Sequence, residues 1–310
     1  MSTQPDRAEC RRRGSAAAAV LVGLGLLLAL QAGRAAARPA RPAHPLIVFL
    51  SDFGSVDDAV AICKGVMLSL APDAQIVDLT HQVTPYSIAE GARLLTRTAP
   101  YYPAGTVFVT VIDPGVGTSR RPIVVKTRRQ QYFVLPDNGL ITQVVDRDGL
   151  EGAREIRNGR WLLGGPASST FHGRDVFSPV AAHLARGDDW TLVGPPVAEL
   201  ARLELPRAVV DEHGVRGSVV ALDGPYGNLV TNIDRDSLQR MGYATGEPVR
   251  LRLGGEDLTV PLVATFGDVP PGRPLAFIDS RGLLSLAINQ GNFAQTYGVT
   301  PPAELVIYRK

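Results

Sequence analysis

The chain has 310 residues, of which 45% are hydrophobic and 20% charged, with mean hydropathy +0.06 and net charge +2. That composition excludes disorder and fits one large or two smaller globular domains. The positive balance belongs to the N-terminus: without residues 1–37, which carry five Arg and two acids, 27 basic and 28 acidic residues remain, a net charge of −1 that gives no electrostatic case for nucleic-acid binding.

Arg11, Arg12 and Arg13 precede an Ala/Leu/Gly run from Ala16 to Leu30, and Ala35–Ala37 offers a small-residue cleavage site. This order is that of a secretory signal peptide, so export to the periplasm or beyond is expected, with a membrane anchor as the outcome if the segment stays uncleaved. The apolar run is shorter than the roughly 20 residues a membrane span requires. Cys10 lies in this leader. Cys63 then has no partner, so no disulfide framework is expected; its apolar neighbours make it a core residue. Residues 38–45 read as a Pro/Ala/Arg linker.

A strand is expected over Leu46–Leu50, closed by Ser51-Asp52-Phe53-Gly54. Asp57 or Asp58 can cap a helix over about Ala59–Leu70, where apolar residues recur at helical spacing. Gln75–Leu79 reads as a second strand and Ser87–Thr98 as a second helix. Thr106–Ile112, short, β-branched and uncharged, reads as a buried third strand. This alternation implies βαβ units and a mainly parallel sheet. Two short strands follow, Pro122–Thr127 and Gln131–Leu135, then a helix from Leu140. Residues 150–168 look Gly-rich and irregular, and another helix is expected from about Val176 to Ala185. A composition shift places the boundary of the first domain, 46–207. From 208 to 310, short β-branched runs separated by turn residues predict a small all-β domain, a barrel or a sandwich.

The chemistry-bearing residues gather at strand ends. Val111-Ile112-Asp113-Pro114-Gly115-Val116-Gly117-Thr118-Ser119-Arg120-Arg121 puts a carboxylate at the end of a strand, then two glycines and two arginines. Open α/β sheets bind ligands at the carboxyl ends of their strands, so Asp52, Asp113 and Asn138 are expected to line one crevice. His172 and Arg174 enter a helix start. His81 reads as structural. No Gly-x-Ser-x-Gly elbow marks a serine hydrolase, no Gly-x-Gly-x-x-Gly follows the first strand, and no ligand spacing groups the acids and histidines into a metal site.

Taken together, Ser51-Asp52-Phe53-Gly54, Asp78-Leu79-Thr80-His81, Asp113 to Thr118, Pro136-Asp137-Asn138-Gly139, Phe171-His172-Gly173-Arg174-Asp175, Gly227-Asn228 and Ser280-Arg281-Gly282 resemble the S-adenosyl-L-methionine (SAM) hydroxide adenosyltransferases, or SAM hydrolases, relatives of the SAM-dependent chlorinase and fluorinase. The resemblance runs from about Leu46 to Tyr308. It implies an α/β domain joined to a β-barrel domain, a homotrimer with SAM between subunits, and no metal or other cofactor. It implies a catalytic triad of Asp113, Arg120 and His172. The halogenases carry a Tyr and a Ser where His172 and Gly173 stand here. By the same resemblance Asp52 holds the ribose, and Tyr86, Phe171 and Gly173 adjoin the substrate. Asp223, Ser280 and Arg281 take the methionine end, and Asn228 and the backbone near Ile288 read adenine. Ser280-Arg281 is halogenase-like. The implied reaction is hydrolysis of SAM to adenosine and L-methionine; a halogenase and a non-catalytic SAM- or nucleoside-binding protein are the alternatives.

Overall fold

The computed structural model describes Met1 and residues 45–164 and 167–310. The expected leader and most of the linker fall on 2–44, outside the described residues. Among the described residues no helix is long and apolar enough to cross a membrane.

The first half is a six-stranded sheet between helices. Its strands are β1 (Leu46–Ser51), β2 (Gln75–Thr80), β3 (Val107–Val111), β4 (Pro122–Thr127), β5 (Tyr132–Pro136) and β6 (Leu150–Glu155), in the order β2-β1-β3-β5-β4-β6. β2, β1, β3 and β5 run parallel, whereas β4 pairs antiparallel with both β5 and β6, so the sheet is mixed. Side chains alternate between faces with the strand period of two. Ile47, Phe49, Val107 and Val109 meet helices α1 (Ala59–Leu70) and α4 (Ser178–Ala185) on one side. Val48, Leu50 and Phe108 meet α2 (Ile88–Thr98) and α3 (Thr142–Asp148) on the other. Burial on both faces is why these strands lack polar alternation. Asp57, rather than Asp58, caps α1, its Oδ1 accepting from Ala59 N at 3.1 Å. Cys63 is free and buried in the first of these layers, and burial pushes its thiol up to about 11.

Two departures from expectation matter here. Residues 150–155, expected to be irregular, form β6; Gly152 reflects packing rather than looseness, because a Cβ there would lie 2.9 Å from the Trp190 ring. The helix expected from Val176 begins as a π-helical turn, Gly173–Phe177, before α4.

The second half is a closed barrel. Strands β8 (Gly214–Asp223), β9 (Asn228–Asp234), β10 (Pro248–Leu253), β11 (Glu256–Val263), β12 (Pro274–Ile278), β13 (Leu283–Ile288) and β14 (Ala303–Tyr308) form a ring shut by the β14–β8 pairing, with the two-residue β7 (Val209–Val210) beside β8. Val215, Leu229, Val249, Leu251, Leu286 and Ile307 fill its interior. Two short helices, α5 (Arg235–Arg240) and α6 (Phe293–Thr296), lie against it.

Candidate active site

Asp113 stands two residues beyond the end of β3. Its strand end is gripped from β5: Asn138 donates its amide to the Ile112 carbonyl at 2.9 Å and accepts from Leu140 N. Asn138 is therefore a turn former that fixes the strand end, rather than a crevice-lining group. The loop then folds back on itself through bonds from Val116 N to Asp113 O and from Thr118 Oγ1 to Gly115 O, and Arg120 N donates to Thr118 Oγ1. Gly117 has φ +76°, and a Cβ there would lie 2.4 Å from the Ser169 carbonyl. Only glycine lets this loop approach the segment leading to His172.

The three expected catalytic residues meet. Arg120 Nε donates to Asp113 Oδ1 at 3.0 Å and its Nη2 to Asp113 Oδ2, a forked, charge-assisted pair. The same Nη2 lies 3.1 Å from His172 Nδ1. A guanidinium has no acceptor, so His172 Nδ1 must accept, and the neutral ring carries its proton on Nε2. Burial and then the Arg120 charge hold the His172 imidazolium below its ordinary range. Burial pushes the Asp113 carboxyl up, and Arg120 pulls it partly back. Arg120 is packed over the Phe177 ring, 5.5 Å from its centroid, and its side chain is only 7% exposed. Its Nη1 is buried and has no partner among the described residues. An orphaned buried donor of this kind calls for an acceptor from outside the chain. The arrangement thus leaves two donors, Arg120 Nη1 and His172 Nε2, uncommitted within the chain that includes the Asp113 carboxylate.

The neighbouring Arg121, the second arginine of the stretch, anchors this loop. It donates to Asp137, whose side chain is 2% exposed, and to the Glu199 carbonyl; Ala201 N completes the Asp137 shell at 2.8 Å. Adjacent arginines thus divide the work, one turned to the site and one to the frame.

Asp52 accepts from Tyr86 N at 2.8 Å, with Tyr86 held at φ +68°. A bulky residue in the left-handed region is strained by about 1–3 kcal/mol and such strain gathers at working sites. His81 proves structural: its ring bonds Ser51 Oγ at 2.7 Å and Asp78 at 3.1 Å, and its carbonyl accepts from Gly54 N, fixing the loop that carries Asp52. Phe171 packs edge-on against Phe53, ring centroids 6.0 Å apart. Gly173 leaves no spare room, since a Cβ would sit 2.9 Å from Phe53 Cζ.

The expected substrate residues of the barrel form a second group. Asp223, Asn228, Ser280, Arg281 and Ile288 line one open cavity of about 1100 Å³. Arg281 donates to both oxygens of Asp223 at 3.1 Å and to Asp279, which also accepts from Ser285. Asp279 immediately precedes the Ser280-Arg281-Gly282 motif, outside the residues the motif marks. Asn289, Gln290 and Asn292 also line the cavity. None of Asp52, Tyr86, Asp113, Arg120, Phe171 or His172 lines it. One chain therefore holds the expected site in two parts. Among the described residues no group of three or more His, Cys, Asp or Glu side chains could hold a metal ion.

An α/β sheet with polar strand ends, followed by a barrel whose cavity combines amides with paired charges, defines a class of small-molecule-binding proteins of two domains. The family follows from comparison. Residues 47–194 match the SAM hydroxide adenosyltransferase N-terminal domain and residues 217–306 the C-terminal domain of the same description, so the chain belongs to the SAM hydroxide adenosyltransferase family. It is 40% identical over 268 residues to an (R)-S-adenosyl-L-methionine hydrolase of Salinispora arenicola, covering 84% of this chain and 97% of that protein. It is 35% identical over 283 residues to a fluorinase of an Actinoplanes species, covering 83% and 95%. The crystal structure of an uncharacterized conserved protein from Thermotoga maritima superimposes with a TM-score of 0.80 at 38% identity, covering 85% of this chain and all of that one.

Proposed function

We propose that the protein hydrolyses SAM at C5′, giving adenosine and L-methionine. The observation that carries this reading is the Asp113–Arg120–His172 chain, with the buried Arg120 Nη1 left without a partner among the described residues. Water has a pKa of about 15.7, and its attack needs developing hydroxide character to be stabilised. Arg120 Nη1 and His172 Nε2 donate to the water oxygen as charge grows there, the role of preorganised donors. Asp113 takes the water proton. A carboxylate offers about four lone-pair sites, and the described donors, two from Arg120 and one from the Gly115 backbone, leave one. The oxygen bonds to C5′, the C5′–S bond breaks, and its electron pair returns to sulfur, which leaves as the neutral thioether of methionine. The leaving group needs no acid.

In this reading Asp52 holds the ribose, Tyr86, Phe171 and Gly173 adjoin the substrate, and the barrel cavity takes adenine on Asn228 and the backbone near Ile288. Asp223, Ser280 and Arg281 receive the methionine end. The division of the set between two regions of one chain supports an assembly in which a neighbouring subunit completes each site, which the family resemblance makes a homotrimer. The name of the relatives' substrate suggests that the R epimer at sulfur is the one used. Hydrolysis is favoured over halogenation because His172 is tied into the Arg120 chain and because Phe53 occupies the space a side chain on Gly173 would need.

The test is incubation of the protein with SAM in ¹⁸O-labelled water. Label in the adenosine 5′-hydroxyl is expected. SAM binding without turnover would replace this reading with a non-catalytic SAM-binding protein.

A further inference from the structure

The barrel cavity receives one residue from the other half of the chain, Arg97, in the last turn of α2. Its Nη1 is 4.0 Å from Asp223 Oδ1, beyond hydrogen-bond reach, and no shorter side-chain contact holds it among the described residues. Both oxygens of Asp223 accept from Arg281 instead. One turn earlier on the same helix face stands Arg93. Its nearest carboxylate, Glu90, is also 4.0 Å away, and its buried Nε has no partner among the described residues. Burial, and then the charge of Arg97, hold the Arg93 guanidinium below its ordinary range. Arg97 thus approaches a carboxylate that Arg281 already occupies, and Arg93 stands one turn behind it.

The charges of the cavity lining are Arg97, Arg281, Asp223 and Asp279, in formal balance. Such a lining suits a zwitterion rather than a simple anion. Asp279 and Asp223 both lean on Arg281, which leaves Arg97 as the lining cation with unspent donors. The surplus fork matches a carboxylate.

We propose that Arg97 is a specificity-determining residue that anchors the α-carboxylate of the substrate's amino-acid end, reinforced from behind by the charge of Arg93. The inference rests on the reading of SAM as substrate and adds to it a residue outside the family motifs. It makes the carboxylate a requirement for tight binding, set by the same chain that supplies the barrel.

The experiment compares SAM with decarboxylated SAM, which keeps the sulfonium and the ammonium and lacks only the carboxylate. Binding of each is measured by calorimetry for the wild type, Arg97→Ala and Arg97→Lys, alongside kcat, KM and melting temperature. The Arg97 side chain is 40% exposed, so both variants are expected to fold. Arg97→Ala should weaken SAM by roughly 10–100-fold, the scale of a charge-assisted hydrogen bond, and leave the decarboxylated compound within about two-fold. Lysine should recover part of the loss. KM should rise while kcat holds, because the contact is remote from C5′ and equal in ground and transition states. Equal weakening of both compounds, or no weakening of SAM, overturns the proposal. If the wild type binds SAM but releases no adenosine, the hydrolytic reading fails while the binding ratio still tests Arg97. If it binds neither compound, both fall.

Discussion

Asp113→Asn is the perturbation whose size follows most directly from the structure. The substitution keeps the shape of the side chain and removes its charge. Asp113 is 5% exposed and Arg120 7%, so the guanidinium would be left buried without its counter-ion. Breaking a buried pair in this way costs about 3–5 kcal/mol. At about 2–4 °C per kcal/mol for a chain of this size, melting should fall by roughly 6–20 °C. Activity should fall further than stability accounts for, since Arg120 loses the fork that aims it at His172 and the water loses its proton acceptor. Arg120→Met in the Asp113→Asn background removes the stranded charge while keeping an apolar stem against Phe177. It should recover much of the melting temperature and none of the turnover. The measurements are thermal unfolding, SAM affinity and adenosine release at saturating SAM. If Asp113→Asn alone leaves the melting temperature unchanged, the pair is not the buried unit described here. If the double variant regains turnover with stability, the triad holds the loop together and does no chemistry.

Turnover should fall as pH drops below the ordinary imidazole value of 6.5, because the folded His172 resists protonation and its Nδ1 must stay free to accept from Arg120; the same residue costs stability below that value, where the unfolded imidazole takes a proton first, and nothing above it. His172→Gln cannot titrate and should lose about 10²–10⁴-fold in rate with an altered acid limb, so an unchanged pH profile would remove His172 from the mechanism. Saturating chloride or fluoride supplied with SAM should yield adenosine and no 5′-halogenated nucleoside as a main product; a halogenated main product would make the protein a halogenase. Protein recovered outside the cytoplasm should begin after the Ala35–Ala37 segment by N-terminal sequencing, and an intact Met1 in a soluble cytoplasmic product would end the export reading.

The inner parallel strands β1 and β3 were legible because each is a short β-branched run buried on both faces, and such runs admit few other structures. β6 was not, because Glu151, Gly152, Arg154 and Glu155 read as loop residues when Trp190, the ring packed on Gly152, is nearly forty positions away. β13 is ambiguous for the opposite reason: Leu283–Ile288 is apolar without a period that separates strand from helix. At the candidate site, motifs marked Asp113, Arg120 and His172, whose side chains the fold brings together, yet the tautomer of His172 and the orphaned Nη1 exist only in three dimensions. Asn138 and Asp113 share a strand-end signature, and only the contacts distinguish a backbone clamp from a reactive group. Arg97 carried no signal at all, since an arginine in the last turn of a helix is ordinary until a cavity from another domain opens beside it.

That distribution bears on how the proposed reaction would be organised. The groups proposed to hold the water are made within the α/β half, by a loop fastened through Gly117, Asn138 and the Arg121–Asp137 pair, so their geometry is set before any ligand arrives. The recognition groups sit in the barrel and are coupled to one another through Arg281. Neither part alone can do the chemistry. A preformed donor pair without enclosure would face bulk water, which competes for the same donors, while a closed cavity without the pair would bind SAM and leave its C5′–S bond intact. Holding the reactants together is worth about 7–11 kcal/mol when the attacking oxygen is in line, and that gain is available only when the two parts close on one substrate. The proposed trimer supplies the closure, and the sulfonium then meets a water already polarised by Arg120 and His172.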